Sequence, residues 1–199
     1  MDGASLFNLA MVLLYSFAST FQDQLYVFWL QHFLKEGRGL EDFDMGLFSS
    51  LPLLGGAIGG IVGGMLNDAL LRATGNRRWT RSGIAFTGKM VAASLIFASV
   101  QVEDGRVSML VLLGARVFGD WSLPTLWGTI TDIGGRATGT IFGLVNMVGA
   151  VGGFIAGPVL GYLKHHHGWE GLFLGVSSMC FVAAFSWLLI DCTRRLAPD

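Results

Sequence analysis

The sequence predicts an all-α membrane protein of six transmembrane helices, paired three and three. Three observations carry this. Hydrophobic residues make up 52% of the 199 and charged residues 14%, against roughly 25% charged in a soluble domain. The apolar residues gather in six runs with short connections, and the middle run of each group of three carries a glycine ladder.

The runs fall near 6–34, 45–67, 82–101, 107–130, 138–163 and 171–190, each close to or above the roughly 20 residues a helix needs to cross the hydrocarbon of a bilayer. Residues 1–199 therefore read as one six-span bundle, with no room for a soluble catalytic or nucleic-acid-binding domain, and a net charge of -1 supports neither. The first run reads as a span rather than a cleavable leader, because Asp2 stands where a basic segment belongs and the first lysine is Lys35. Cys180 and Cys192 have no metal-site spacing and are expected to pack.

Lysine and arginine in short loops set orientation, since cytoplasmic loops retain positive charge. Arg72, Arg77, Arg78 and Arg81 follow the second run, Arg136 the fourth, and Arg194 and Arg195 close the chain. The opposite loops carry Lys35, Arg38, Arg106 and Lys164, diluted by Glu36, Glu41, Asp42, Asp44, Glu103, Asp104 and Glu170. Both termini are expected on the cytoplasmic side of the plasma membrane.

The second run holds two ladders at four-residue spacing, Gly55, Gly59 and Gly63 beside Gly56, Gly60 and Gly64; the fifth holds Gly149, Gly153, Gly157 and Gly161. Small residues at this spacing let a neighbouring helix approach closely, which matters in lipid because packing holds helices together there. An odd number of spans per triplet makes the second enter the membrane from the opposite side, so the triplets form a 3+3 inverted repeat. Each half of a major facilitator transporter contains such a repeat.

Charge inside a bilayer costs about 2.5–3.5 kcal/mol on insertion scales and marks a cavity, a partner or a substrate path. The first span holds Asp23 between Gln22 and Gln24, and α-helical spacing places Ser16, Ser19, Thr20, Asp23 and Tyr26 on one face. Asp23 reads either as a proton or cation coupling site or as a residue near the aqueous end of a long span. In the fourth span Arg116 and Asp120 lie four residues apart, with Pro124 one turn further on. They read either as a structural ion pair or as an anion-binding arginine held by its aspartate. Lys89, in the third span, is expected to snorkel to the cytoplasmic surface. On this scheme first helices line a path, middle helices pack closely and third helices form the outside.

Leu51 to Arg81, LPLLGGAIGGIVGGMLNDALLRATGNRRWTR, resembles the eighth span and following loop of the anion:cation symporter family within the major facilitator superfamily. Gly64, Asp68, Gly75, Arg77 and Arg78 match the cytoplasmic loop signature in its second-half form. Asp132 to Gly153, DIGGRATGTIFGLVNMVGAVGG, is similar to the connection from tenth to eleventh span; YVFWL at 26–30 and GWEG at 168–171 resemble landmarks of the seventh and twelfth. The resemblance covers essentially the whole chain. It implies a C-terminal six-helix half of a carrier for small organic anions such as sugar acids, coupled to H+ or Na+. It also implies that the glycine ladders face a missing N-terminal half, with Asp68 acting at a helix N-terminus across that interface. Asn146 matches the pattern, as helix glue or as a substrate contact; Gln31, Phe142 and Ala150 depart from it.

His165, His166 and His167 are consecutive and cannot all face one metal, and His32 has no nucleophile to serve. No hydrolase, metalloprotease or phosphate-loop motif is present. The expectation is a transporter and not an enzyme, with no cofactor, metal site or nucleic-acid partner. Its partners would be an organic anion, a coupling ion, the bilayer, and a first half or second copy. The alternative is a six-span assembly partner or fragment without transport of its own.

Overall fold

A bilayer core offers backbone groups no water, so a chain this apolar satisfies its N–H and C=O groups within helices. Among the described residues every regular element of the computed structural model is helical. The structure describes residues 3–40 and 42–196, with side chains at 3–40 and 50–196. Met1, Asp2 and Glu41, and the side chains of Asp42 and Asp44 weighed above, lie outside the described set.

Helix α1, Gly3–Gln24, continues through two π-helical turns, Leu25–Trp29 and Phe33–Gly37, separated by Leu30–His32. Then follow α2 (Asp42–Thr74), α3 (Arg77–Gln101), α4 (Gly105–Gly119), α5 (Ser122–Gly134) and α6 (Thr138–Leu189). Local chemistry sets several of these boundaries. The Asn76 side chain accepts the Trp79 N–H to start α3, and Asp104 accepts the N–H groups of Arg106 and Val107 to start α4. The break between α4 and α5 falls at Asp120, four residues before Pro124, whose ring clashes with the carbonyl at that position. The Asp120 carbonyl accepts instead from the Leu123 N–H at 3.1 Å.

Among the described residues four helical stretches are long and apolar enough to cross a membrane: Gly3–Gly37, Ser50–Thr74, Arg77–Gln101 and Gly105–Leu189. The last is 85 residues long. Within it α6 is interrupted at Gly168, whose φ of 65° and ψ of -162° lie in a region open essentially to glycine alone. A Cβ at Gly168 would meet nothing within 4 Å, so Gly168→Ala isolates the backbone term. We expect it to cost about 1–3 kcal/mol, read as a lowered thermal midpoint in detergent; an unchanged midpoint would mean that the folded chain does not turn there.

Two apolar clusters form the core. One gathers Phe21, Leu25, Phe33, Ile96, Leu112, Leu160, Phe173 and Val176; the other Val12, Tyr15, Ala18, Leu126, Ile130, Val145 and Trp187. On α3, Lys89 falls between Ala93 of the first and Ala85 of the second. The third helices have two faces, leaving Val91, Phe97, Leu174, Phe185 and Leu189 exposed on one and joining the core on the other. The third members of the triplets, α3 and the part of α6 beyond Gly168, supply fully buried Ala92, Ala93, Ile96, Phe173, Val176 and Cys180. They are joined by a 2.8 Å hydrogen bond from Ser177 Oγ to the Ala93 carbonyl. Small residues at the contact permit this close approach. α2, a middle helix expected to pack closely and to face a missing half, leaves Leu53, Leu54, Ile58, Ile61 and Met65 exposed.

The two ladders of α2 separate accordingly. An added Cβ would overlap the Val117 carbonyl at Gly59, sit 2.6 Å from Trp121 Cα at Gly63 and 2.7 Å from Leu113 Cδ1 at Gly55. This face is therefore filled by α4 and its junction with α5, correcting the expectation that it awaits another half. Gly60 meets nothing within 4 Å, and Gly64 makes only ordinary contact with Pro124 at 3.8 Å. In α6, Gly149 and Gly152 pack on Ser16, Phe17 and Thr20 of α1, Gly153 on the Gln24 amide and Gly161 on Trp29, while Gly157 is open.

Candidate functional site

The α1 polar residues Ser16, Ser19, Thr20, Asp23 and Gln24 form one wall of a cavity of about 910 Å³. α5 contributes Leu126, Trp127 and Ile130; the first part of α6 contributes Phe142, Asn146, Ala150 and Gly153. Such a concave surface, largely apolar with a few convergent polar groups, has the character of a small-molecule site. Asn146 is exposed on the cavity wall and makes no cross-helix hydrogen bond among the described residues. His32 lies at the same cavity, its Nδ1 3.0 Å from the Phe28 carbonyl.

Tyr26 leaves the expected face. Its turn is π-helical, and a π turn carries an extra residue that takes the side chain out of α-helical register. The hydroxyl points behind the wall and donates to the Leu112 carbonyl at 2.8 Å.

Behind that wall the charges form one cluster. Arg116 Nη1 meets Asp23 Oδ1 at 2.5 Å and Arg116 Nε meets Asp120 Oδ2 at 3.0 Å, with the guanidinium 5.2 Å from the centre of the Tyr26 ring. The sequence spacing foresaw the Arg116–Asp120 pair; Asp23 joining it required the fold. The Asp23 side chain is 49% exposed, that of Arg116 21% and that of Asp120 11%, so only Asp23 faces the cavity. The glycine at position 56 lets α2 lie directly over Asp120 Oδ2.

Lys89 corrects a second expectation. It does not snorkel: it is 2% exposed and donates to Gln22 Oε1 at 2.8 Å and Ser19 Oγ at 2.9 Å. Twelve residues after Arg77 on the same helix, it sits about 18 Å along the axis, beyond reach of the basic end. The inward face of α1 offers acceptors instead. Gln22 is itself 1% exposed, in a space that exists because residue 119 is glycine; a Cβ there would overlap the Gln22 amide. With two carboxylates, one guanidinium and one ammonium, the cluster is formally neutral, and lysine in an apolar run was its sequence signal.

The basic connections meet at one end of the bundle. Arg81 pairs with Asp132 at 2.6 Å, Arg77 with Asp132 at 3.7 Å and Arg78 with Asp191 at 3.4 Å. Gly75 takes a φ of 64° in the turn before α3. Asp68 is exposed and has no ion-pair partner among the described residues. Sequence reading missed the clamp in which Asn8 donates to the Asp191 carbonyl at 2.9 Å and accepts its N–H at 2.8 Å. Burial acts to raise the Asp191 pKa, but the Thr193 hydroxyl and N–H, with Arg78 and Arg194, outweigh it and hold the carboxyl below its ordinary value. Both cysteines are free and buried, and no cluster among the described residues could hold a metal ion.

Long apolar helices around a largely apolar cavity, with paired charges behind its wall, fit a membrane protein of the solute-carrier kind. Residues 12–198 match the family model described as Major Facilitator Superfamily, and the chain belongs to that family. Over 184 residues it is 32% identical to a probable sulfoacetate transporter of Cupriavidus necator, covering 88% of this chain and 42% of the relative. It is 26% identical over 168 residues to a probable galactarate/D-glucarate transporter of Escherichia coli K12, covering 83% and 37%, and 21% identical over 163 residues to a D-galactonate transporter of Escherichia coli O6:H1, covering 81% and 37%. The chain thus spans about two fifths of the length of these relatives. Family and relatives are those of integral membrane transporters, not enzymes.

Proposed function

We propose that the chain is one six-span half of a carrier for small organic anions, sugar acids or short sulfonates and carboxylates, working by alternating access with H+ or Na+ coupling. The observation that carries this is the cavity: its polar wall comes from the first helix of the chain and its other walls from α5 and the first part of α6. In an inverted-repeat transporter the substrate lies near mid-membrane, between halves. The Gly105–Leu189 stretch would cross three times, bending at Asp120 and at 135–137 and turning at Gly168, to complete a 3+3 bundle. The convergence of Arg77, Arg78, Arg81 and the tail at one end supports cytoplasmic termini.

On this reading Asp23, the charge that faces the cavity, serves coupling, while Arg116 secures it to Asp120. Gln24 and Asn146 contact the solute, and Gly60 and Gly157, open in this chain, receive the partner half or a second copy. The test is uptake of radiolabelled sulfoacetate, D-glucarate and D-galactonate into vesicles holding this chain with and without a six-span first-half partner. Uptake that needs both halves and is lost in Asp23→Asn supports the reading; no uptake of any of these with the partner present overturns it.

A further inference from the structure

Four hydroxyls stand on the α1 side of the cavity, and three have their protons spent. Ser16 Oγ donates to the Val145 carbonyl at 2.8 Å and Thr20 Oγ1 to the Phe17 carbonyl at 2.7 Å. Tyr15 and Ser122 oxygens lie 2.6 Å apart; Ser122 gives its proton to the Gly119 carbonyl at 2.8 Å, so Tyr15 is the donor of that pair. Ser19 is the reverse case. Its oxygen accepts from Lys89 Nζ at 2.9 Å, and its own proton has no acceptor among the described residues.

We propose that Ser19, polarised from behind by Lys89, is where this half donates to an oxyanion oxygen, carboxylate or sulfonate, of the transported solute. The proposal rests on the organic-anion reading for the class of ligand. A hydroxyl that accepts from a cation becomes a stronger donor, and with its lone pair turned toward Lys89 its hydrogen is directed away, into the cavity. Arg116 cannot serve in this way, because both its contacts are to carboxylates, Asp23 and Asp120, and it does not line the cavity. Lys89 forms no salt bridge among the described residues; its contacts are Ser19, Gln22 and, at 5.8 Å, the Tyr15 ring. It is a positioning residue, never touching the solute, whose charge offsets that of Asp23 on the same wall. The arrangement makes the field at the wall less repulsive to an anion without exposing the ammonium.

The test reads the field and the hydrogen bond separately. Ala150 is exposed across the cavity, and both native thiols are buried. The chain carrying Ala150→Cys is reconstituted in liposomes and reacted with the anionic sulfonatoethyl and the cationic trimethylammonioethyl methanethiosulfonates. The anionic-to-cationic rate ratio is expected to fall about tenfold in Lys89→Met. The sulfoacetate concentration giving half-protection of the thiol is expected to rise about tenfold in Ser19→Ala, the loss of one charge-assisted hydrogen bond, and to stay within about twofold in Ser19→Thr. A ratio indifferent to Lys89, or equal protection in Ser19→Ala, overturns the proposal. If Lys89→Met does not fold, the Ser19→Ala and Ser19→Thr pair decides. If no sulfoacetate, D-glucarate or D-galactonate protects the parent chain, the anion reading fails for the chain alone, and the rate ratio still decides whether Lys89 sets the field.

Discussion

Arg116→Ala is expected to destabilise the chain more than any other single substitution in the charge cluster, by about 3–5 kcal/mol, the range for removing one partner of a buried pair. Two carboxylates lean on one guanidinium. Without it Asp120, whose side chain is 11% exposed, has no adjacent cation, and Lys89 reaches only Ser19 and Gln22. Arg116→Lys should rescue only part of the loss. The two carboxylates are engaged by different nitrogens, Nη1 and Nε, in a fork that a point-like ammonium does not reproduce. Asp23→Asn should cost far less, about 1 kcal/mol, since Asp23 is half solvated and the Arg116–Asp120 pair survives it. Unfolding midpoints in mixed detergent, with Arg116→Ala/Asp120→Asn to relieve the unpaired carboxylate, separate these terms. A parent-like midpoint for Arg116→Ala would remove the structural role and return Arg116 to contention as the anion's contact.

Much of the architecture and part of the site could be read from local pattern. The apolar runs and the Asn76 and Asp104 caps are local, and four-residue spacing is enough to pair Arg116 with Asp120. What pattern alone could not supply was partner choice between helices. Asp23 and Arg116 are 93 residues apart, and Lys89 and Ser19 are 70 apart; only the packing of α3, α4 and α1 brings them together. The misplacing of Lys89 followed from treating a lysine in an apolar run by its distance to a loop, without asking whether a neighbouring helix offered acceptors. Tyr26 was misplaced because α-helical spacing was carried into a π-helical turn. Gln22 and Gly119 are a matched pair, a side chain and the space it needs, which neither residue advertises by itself.

The adjacent glycines of α2 should respond in opposite ways, although the sequence presents them as equivalent rungs. Gly59→Ala puts a methyl against the Val117 carbonyl, backbone that cannot swing aside, and overpacking of this kind costs about 1–3 kcal/mol. Gly63→Ala faces Trp121 backbone and should behave alike. Gly60→Ala meets nothing within 4 Å and should be neutral or stabilising by up to about 1 kcal/mol, because alanine restricts the unfolded chain and favours helix. Midpoints of the three variants in the isolated chain test this directly; an equal loss at Gly60 and Gly59 would refute the seating of α2 on α4. Adding a first-half partner then asks a different question of the same residue. Gly60→Leu should leave the chain folded yet weaken its co-purification with that partner, since the open rung lies beside exposed Ile61, on the side of α2 that α4 does not fill. Unimpaired co-purification would place the partner on another face and leave the Gly60 ladder to lipid.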